Sequence, residues 1–597
     1  MDKISIQEYY KNNAEKFKTG VKKEEKLLII LSLLRLAIFL GGFVIIWIGF
    51  HRSVLTGVIL LVLIAALFLL LLKIYSNHLQ NKEHLQNLVK INVNEANAIS
   101  GDYSAFDDGN IYIDHTHDYS YDLDLFGQSS IYQYLNRTST GYGAQILSGW
   151  LLDPLVLEDN FKIRQETIKE IAAKTEWRQE FLATGMNKEL EKSQIDGLVK
   201  WLSDDRSVHM SLLKRIMIWL LPFITLVSLG LIIFGLLHYS VFIFIFLFNL
   251  FIIALNLKKT NAIHNELSGR YRFLSSMGKV LSIFEKEHFV SRELTEIKSL
   301  IENSAVSSLR KLSRIIQAFD SRMNLLVGFI VNGLLLWDMH CIRKLIVWKI
   351  GNRDHFHEWL VALGKIDAYV SLGNYAFNNP DYSYPEISEE GLIFSAEKLG
   401  HQLIDNEKRV CNDFSLPAKG RICIITGANM AGKSTFLRTV AVNYIIAMTG
   451  APVCAGRLSF LPMTLFTSMR TTDSLSSNES YFYAELKRLK SLKSRIQKGE
   501  NILFMLDEIL KGTNSEDKST GSKLFLRKLI GLQGTGLVAT HDTSLGTLQD
   551  EFPDSIINKC IEVEIDGEEI HFDYLLKDGI TTKKNAVLLM KQMGMLE

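Results

Sequence analysis

Two pairs of long apolar runs constrain this chain of 597 residues more than anything else in it. Leu27–Phe50 contains one charge, Arg35, and Val54–Tyr75 contains one, Lys73, close to its end. Ile216–Leu237 and Val241–Leu257 form the second pair. Each run is about the length needed to cross a hydrocarbon layer ~30 Å thick, the last at the short limit. The runs are paired around short turns, His51–Ser53 and His238–Ser240, so they read as two membrane hairpins rather than as buried core helices. Arg35 lies near the start of its run, where its long side chain can reach the interface.

Lysines set the expected orientation. Met1–Lys26 holds seven of them, Lys214 and Arg215 precede the third run, and Lys258 and Lys259 follow the fourth. The positive-inside rule places all of these in the cytoplasm, and an even number of spans leaves the rest of the chain there too. A multi-pass protein of the cytoplasmic (inner) membrane is expected, without a cleaved signal peptide. A shorter apolar run, Leu325–Trp337, contains Asn332 and reads as a buried helix rather than a re-entrant segment.

The remaining composition excludes more than it indicates. A net charge of +1 gives no global basic field for nucleic acid, so any DNA surface must be local. Five scattered cysteines without a CxxC pair argue against a zinc site or a disulfide framework. Eight prolines and no Gly/Ser-rich linker suggest domains joined directly by helices. "DHTHD" at 114–118 offers His115 and His117 with two aspartates, and a structural role is the simpler reading. The Lys/Arg residues of "SSLRKLSR" read as a solvated helix face.

The chemistry concentrates further on. "RICII", Arg421–Ile425, is a β-rich run, followed by Gly427-Ala-Asn-Met-Ala-Gly432-Lys433-Ser434 and the helical "TFLRTVAVNYIIAM". Strand, GxxxxGK[ST] loop and helix in that order form a phosphate cradle. Backbone N–H groups of Gly427, Ala428, Met430, Ala431, Gly432 and Thr435 surround the phosphates, aided by the helix N-terminus. Lys433 reaches the β- and γ-phosphates and Ser434 binds Mg2+. "NILFMLDEI" at 501–509 is a continuous apolar run, as a parallel strand buried on both faces requires, and it ends in Asp507-Glu508. Asp507 is expected to hold the Mg2+ shell and Glu508 to act as general base on the attacking water. A third strand, "GLVAT", ends at His541, read as a γ-phosphate sensor.

These segments together resemble the ATPase domain of the MutS family of DNA mismatch-repair proteins. "TGANMAGKST", "LDEILKGTNSEDKSTGS" and "VATHDTSLGTL" stand where that family typically reads TGPNMGGKST, DEIGRGTST and ATH. "TDSLSSNESYFYAEL" is similar to its DDLxxGxSTFxxE loop, "LGHQLIDNEKRVCNDFSL" to the start of the domain, and "FDYLLKDGITTKKNAVLLMKQMGM" to its end. Upstream, "DLDLFGQSSIYQYLNRTSTGYGAQILSGWLLDPL" with "IRQETIKEI" looks like the start of the family's helical lever, and "LGKIDAYVSLGNYAFNNPDYSYPEI" like its return. The similarity covers about Asp122–Trp201 and Leu363–Glu597. Ala428 and Ala431 replace a usual Pro and Gly, Leu510-Lys511 a usual Gly-Arg, and Asn478 a usual Gly. The last two departures bear on the dimer interface more than on nucleotide binding.

The resemblance implies an ATPase completed by homodimerisation, with ATP and Mg2+ as its ligands. Asn429 would then lie beside the γ-phosphate and water, and Ser480 would reach the partner's γ-phosphate in trans, although Ser480 also suits an ordinary helix N-cap before "YFYAEL". The family's mismatch reader, a domain with a Phe-x-Glu wedge, has no counterpart in residues 1–121, and the second hairpin interrupts the lever where the family carries its DNA clamp. The chain therefore resembles the family's membrane-anchored branch.

The expected architecture is multidomain: an α-helical lever/core plus an α/β P-loop NTPase (ABC-type ATPase) domain, with four transmembrane helices in two hairpins. The expected division is 1–26 cytoplasmic segment, 27–76 first hairpin, 77–210 first part of the core, 211–258 second hairpin, 259–390 second part of the core, and 391–597 ATPase domain. The leading functional reading is a membrane-anchored, ATP-driven conformational switch that acts with membrane lipid and an unknown protein partner. The alternatives are a membrane-tethered repair or recombination factor that binds mismatched or branched DNA and, less well supported, an ABC-type transporter. The LSGGQ signature of transporters is absent, and few polar residues interrupt the spans to mark a substrate route.

Overall fold

The computed structural model of the protein describes residues 2–154, 158–186, 193–204, 211–302, 304–388, 391–470, 481–511, 514–566 and 569–581. Two very long helices begin it, α1 (Lys3–Arg52) and α2 (Val54–Ile99). Each joins a polar half to an apolar half without a break, in the order polar then apolar in α1 and apolar then polar in α2. Only Ser53 separates them: its backbone is extended, its N–H closes α1 on Gly49 and its hydroxyl caps α2 at Thr56. The turn is thus tighter than the sequence suggests. Arg35 lies over the Tyr75 ring at 4.7 Å, near the polar end of the apolar run.

Helices α3 (Ile131–Leu135), α4 (Gly141–Leu152), α5 (Glu158–Ala173), α6 (Thr175–Gly185) and α7 (Ser193–Ser203) build the first half of a helical body. The second apolar pair follows as α8 (Leu212–Ile233) and α9 (Tyr239–Leu267). Its turn lies earlier than expected because Gly235 adopts φ +70°, which ends α8 four residues before Leu237, while His238 caps α9. All four of these helices are long and apolar enough to cross a membrane, and most of their apolar surface faces outward.

The body resumes with α10 (Tyr271–Lys286), α11 (Arg292–Ile301) and α12 (Ala305–Asp320), then α13 (Leu325–Leu335) and the 42-residue α14 (Trp337–Asn378). The buried Trp348 and Trp359 of α14 anchor the helical core. The reading of Leu325–Trp337 as a buried helix is corrected here. α13 lies against α8 and α9, yet Leu326, Phe329 and Ile330 remain exposed. Its apolar residues are thus left exposed, as those of the hairpins are, rather than enclosed in a protein interior.

The C-terminal part is α/β. A small sheet pairs β1 (Glu386–Ile387), β2 (Phe394–Leu399), β3 (Asn412–Leu416) and β5 (Arg457–Phe460) in the order β1-β5-β2-β3. The main sheet is centred on β4 (Ile422–Gly427), β8 (Thr535–Thr540) and β7 (Ile502–Asp507), whose residues are all buried. These run parallel with β6 (Thr464–Ser468) and β9 (Ile556–Asp566), and β10 (Glu569–Asp578) closes one edge antiparallel. Helices α15 (Lys433–Met448), α16 (Tyr481–Gln497) and α17 (Ser515–Gly531) complete the layers. Burial on both faces explains why the central strands read as unbroken apolar runs.

Candidate functional site

The parallel register brings the chemistry to one edge. Thr426 pairs with Thr540 and Asp507 with Ala539, so β4, β7 and β8 end side by side. Ligands of open α/β sheets bind beyond these carboxyl ends. The chain leaves β4 at Gly427, where a side chain would strike the Ile561 carbonyl. The loop turns through Met430 at φ +68° and Gly432 at φ +98°, and α15 starts at Lys433. Gly432 thus occupies a left-handed position that a side-chain-bearing residue disfavours.

Lys433 is buried, and its ammonium donates to the Gly427 and Ala428 carbonyls at 2.8 Å each. Burial depresses its pKa, against the opposing charges of Glu508 and Asp507. A cleft of about 640 Å³ opens over the loop. Asn429, Met430, Gly432, Lys433, Ser434, Thr435, Asp507 and Glu508 line it with His401, Ile404, Val410 and Tyr574, whose ring lies beside Gly432. Gly427, Ala428 and Ala431 are not among its lining residues. Ser480 and Asn478 lie outside the described residues.

Asp507 is buried at the end of β7, and its Oδ1 has no hydrogen-bond partner among the described residues. An unpartnered buried carboxylate oxygen aimed at a cleft fits a cation ligand, and Ser434 lines the same cleft. Glu508 takes φ +51°, and its N–H donates to the Ala539 carbonyl at 2.9 Å. Its Oε1 lies 3.1 Å from His541 Nδ1. Burial pushes the Glu508 carboxyl up, but the hydrogen bond and charge of His541, together with the charges of Lys511 and Lys518, outweigh it and hold the carboxyl below its ordinary value. The carboxylate is thus kept ionised, as a proton acceptor requires.

Several residues that shape this site were not singled out from the sequence. Glu485 on α16 accepts from the Leu510 and Lys511 N–H groups at 2.6 and 3.3 Å, holding the chain just after Glu508, where Leu510 is also left-handed (φ +62°). The final Glu of "SYFYAE", in the segment compared with DDLxxGxSTFxxE, was the available signal. Asp122 accepts from Thr467 Oγ1 at 2.6 Å and from the Met469 and Arg470 N–H groups at 3.1 and 3.0 Å. Asp124 pairs with Arg438 of α15 at 2.8 Å, and Asp118 with Arg495 of α16. Asp118, the last residue of "DHTHD", and its neighbours Asp122 and Asp124 therefore tie the stretch before the helical body to the site's own elements, while Asp114 bonds locally to Thr116. His117 accepts from the Tyr119 and Ser120 N–H groups, a local structural role.

Comparison with known proteins points the same way. Residues 423–595 match the family model for MutS domain V. The chain is 30% identical over 236 residues to a DNA mismatch repair protein MutS of Thermotoga maritima, covering 39% of this chain and 29% of that protein. It is 32% identical over 241 residues to the protein of the same name from Lachnoclostridium phytofermentans, covering 39% and 25%. It is 29% identical over 274 residues to the human MutS protein homolog 4, covering 44% and 29%. The chain thus spans between a quarter and three-tenths of the length of these relatives.

Proposed function

We propose, from the premise that the C-terminal portion of this chain is a MutS-family domain V, that the protein is a membrane-anchored, Mg2+-dependent ATPase that works as a dimeric conformational switch. The observation that carries this reading is the set of groups gathered at one sheet edge: Lys433 in the loop, the unpartnered Asp507 Oδ1, and Glu508 held ionised against His541. Lys433 and the loop N–H groups suit the phosphates, and the apolar and aromatic residues Ile404, Val410 and Tyr574 that line the cleft suit a base. Ser434 and Asp507 would hold Mg2+, which supplies neutralisation of phosphate charge. Glu508 accepts the proton of the attacking water, and His541 orients the Glu508 carboxylate and stands where a γ-phosphate could be sensed. Asn429 contributes from the loop, and Ser480 would come from the partner subunit.

Two joints suit transmission of the nucleotide state. One is the Asp118–Asp124 stretch already described. The other lies where the polar halves of α1 and α2 meet the end of α14. There Tyr10 donates to Asn378 at 2.9 Å, and Glu95 accepts from Arg137 at 2.6 Å and from Asn378 at 2.8 Å. In this reading α1, α2, α8 and α9 anchor the chain in the inner membrane, with the N-terminus, helical body and ATPase domain in the cytoplasm. ATP moves the switch only by binding one arrangement better than the other.

Two of the relatives named above carry the name DNA mismatch repair protein, so DNA is the second candidate partner. Hydrolysis by the intact protein in detergent, with and without heteroduplex and homoduplex DNA, separates the two readings. Equal rates support a switch that does not read DNA. A mismatch preference of about 100-fold or more, on the scale of specific readers, would establish a tethered repair factor instead.

A further inference from the structure

We infer that α13 is a re-entrant helix buried in the lipid acyl chains beside the second hairpin, so that the membrane-embedded part of this protein contains five elements rather than four. The inference rests on the membrane-anchored reading above and adds to it a lipid-facing surface within the helical body's own chain.

Depth is set by contacts with α9. Asn249, eight residues from each end of Val241–Leu257, is fully buried and donates to the Gly333 carbonyl of α13 at 2.8 Å and to Thr225 Oγ1 of α8 at 3.0 Å. At 1.5 Å per residue, that places the contact about 12 Å inside the apolar run. Phe329 of α13 meets the Phe246 ring at 5.4 Å, and any side chain at Gly333 would collide with that same ring. Away from this contact α13 is bare: Leu326 is 75% exposed and Ile330 50%, like the outward apolar residues of α8 and α9.

The chain enters and leaves this layer on one side. Arg322, just before α13, pairs with Asp338, just after it, at 3.1 Å, and Trp337 Nε1 donates to the Ala318 carbonyl at 2.9 Å. Asp320 meets His264, beyond Lys258 and Lys259 on α9, at 3.0 Å, which fixes that side as the one the lysines mark. The axis bends by 78° between α13 and α14. A span continued into α14 would separate Arg322 from Asp338, whereas a re-entrant segment brings them together.

Backbone within hydrocarbon must be satisfied internally. Asn324 caps α13 at the Val327 N–H, Asn332 accepts from the Asp338 N–H at 2.9 Å across the left-handed Leu336, and Asn249 covers the Gly333 carbonyl. Amides placed at both ends and at the contact point of an otherwise apolar helix are what a water-free setting demands.

The test uses the intact chain in liposomes, with the exposed Cys411 replaced by Ser and the four buried cysteines kept. An environment-sensitive fluorophore is placed on single cysteines: Leu326→Cys, Phe329→Cys, Phe244→Cys in α9 and Val290→Cys in the helical body. Lipids brominated along their acyl chains should extinguish the Leu326 and Phe329 probes as strongly as the Phe244 probe, while aqueous iodide should reach only Val290. Iodide quenching at Leu326 and Phe329 with bromolipid quenching kept at Phe244 would overturn the inference and leave the anchoring intact. Loss of bromolipid quenching at Phe244 would overturn the anchoring itself, and this inference with it. Met323→Cys and Val347→Cys should react with an impermeant maleimide from the same face, and reaction from opposite faces would make α13 part of a fifth span.

Discussion

Glu508 and His541 meet across the ends of neighbouring strands, Oε1 to Nδ1 at 3.1 Å, with the Glu508 backbone pinned to Ala539. Burial raises the Glu508 carboxyl, and His541, with the charges of Lys511 and Lys518, brings it below its ordinary value. Removing His541 takes away the hydrogen bond and charge that lower it most. In His541→Ala the acid limb of the kcat/KM profile for ATP should therefore move to higher pH, with activity lost first as pH falls. An acid limb unchanged in that variant would show that Glu508 does not depend on His541.

Glu485 makes a separate prediction. Its carboxylate is the acceptor for two N–H groups that follow Glu508, and an unsatisfied buried N–H costs about 1–3 kcal/mol. Glu485→Ala should lower kcat while leaving ATP affinity near that of the wild type, since Glu485 is absent from the cleft over the loop. Glu485→Gln, which keeps one oxygen for Leu510, should recover part of the loss. Equal defects in both variants would show that those hydrogen bonds do not position Glu508.

Asp122 is expected to clamp the end of β6. Asp122→Ala leaves Met469 and Arg470 without their acceptor, and amide hydrogen exchange across Thr464–Arg470 should accelerate. Unchanged exchange there would remove this stretch as a joint between the helical body and the site.

The Glu95–Arg137 pair, almost wholly buried, is the most sensitive point of the second joint. Glu95→Leu strands a buried guanidinium and should destabilise the helical body by about 3–5 kcal/mol. The double variant with Arg137→Met should regain much of that. Thermal unfolding in detergent reads both, and a mild Glu95→Leu effect would mean that water reaches the pair.

How far the sequence could be read depended on whether the interactions were local. The Gly427–Ser434 loop and the strands ending at Asp507 and Thr540 were legible because glycine geometry and continuous apolar runs are written in consecutive residues. Asp122 and Glu485 were not, because the backbone N–H groups they accept from are 347 and 348 residues away for Asp122 and 25 and 26 for Glu485. α13 was misread for another reason: an apolar 11-residue helix looks the same in a protein core and against lipid, and only its neighbours distinguish the two. The turn of the second hairpin shifted because the left-handed Gly235 outweighed the apolar residues that follow it.

The most direct test of the account is Mg2+-dependent ATP hydrolysis by the intact protein, measured with nucleotide binding for wild type, Lys433→Ala and Glu508→Gln. Lys433→Ala should lose binding and hydrolysis together. Glu508→Gln should still bind ATP but hydrolyse it about 10²- to 10⁴-fold more slowly, the range for loss of a general base. Wild-type turnover in Glu508→Gln, or no hydrolysis by the wild-type protein, would contradict the account.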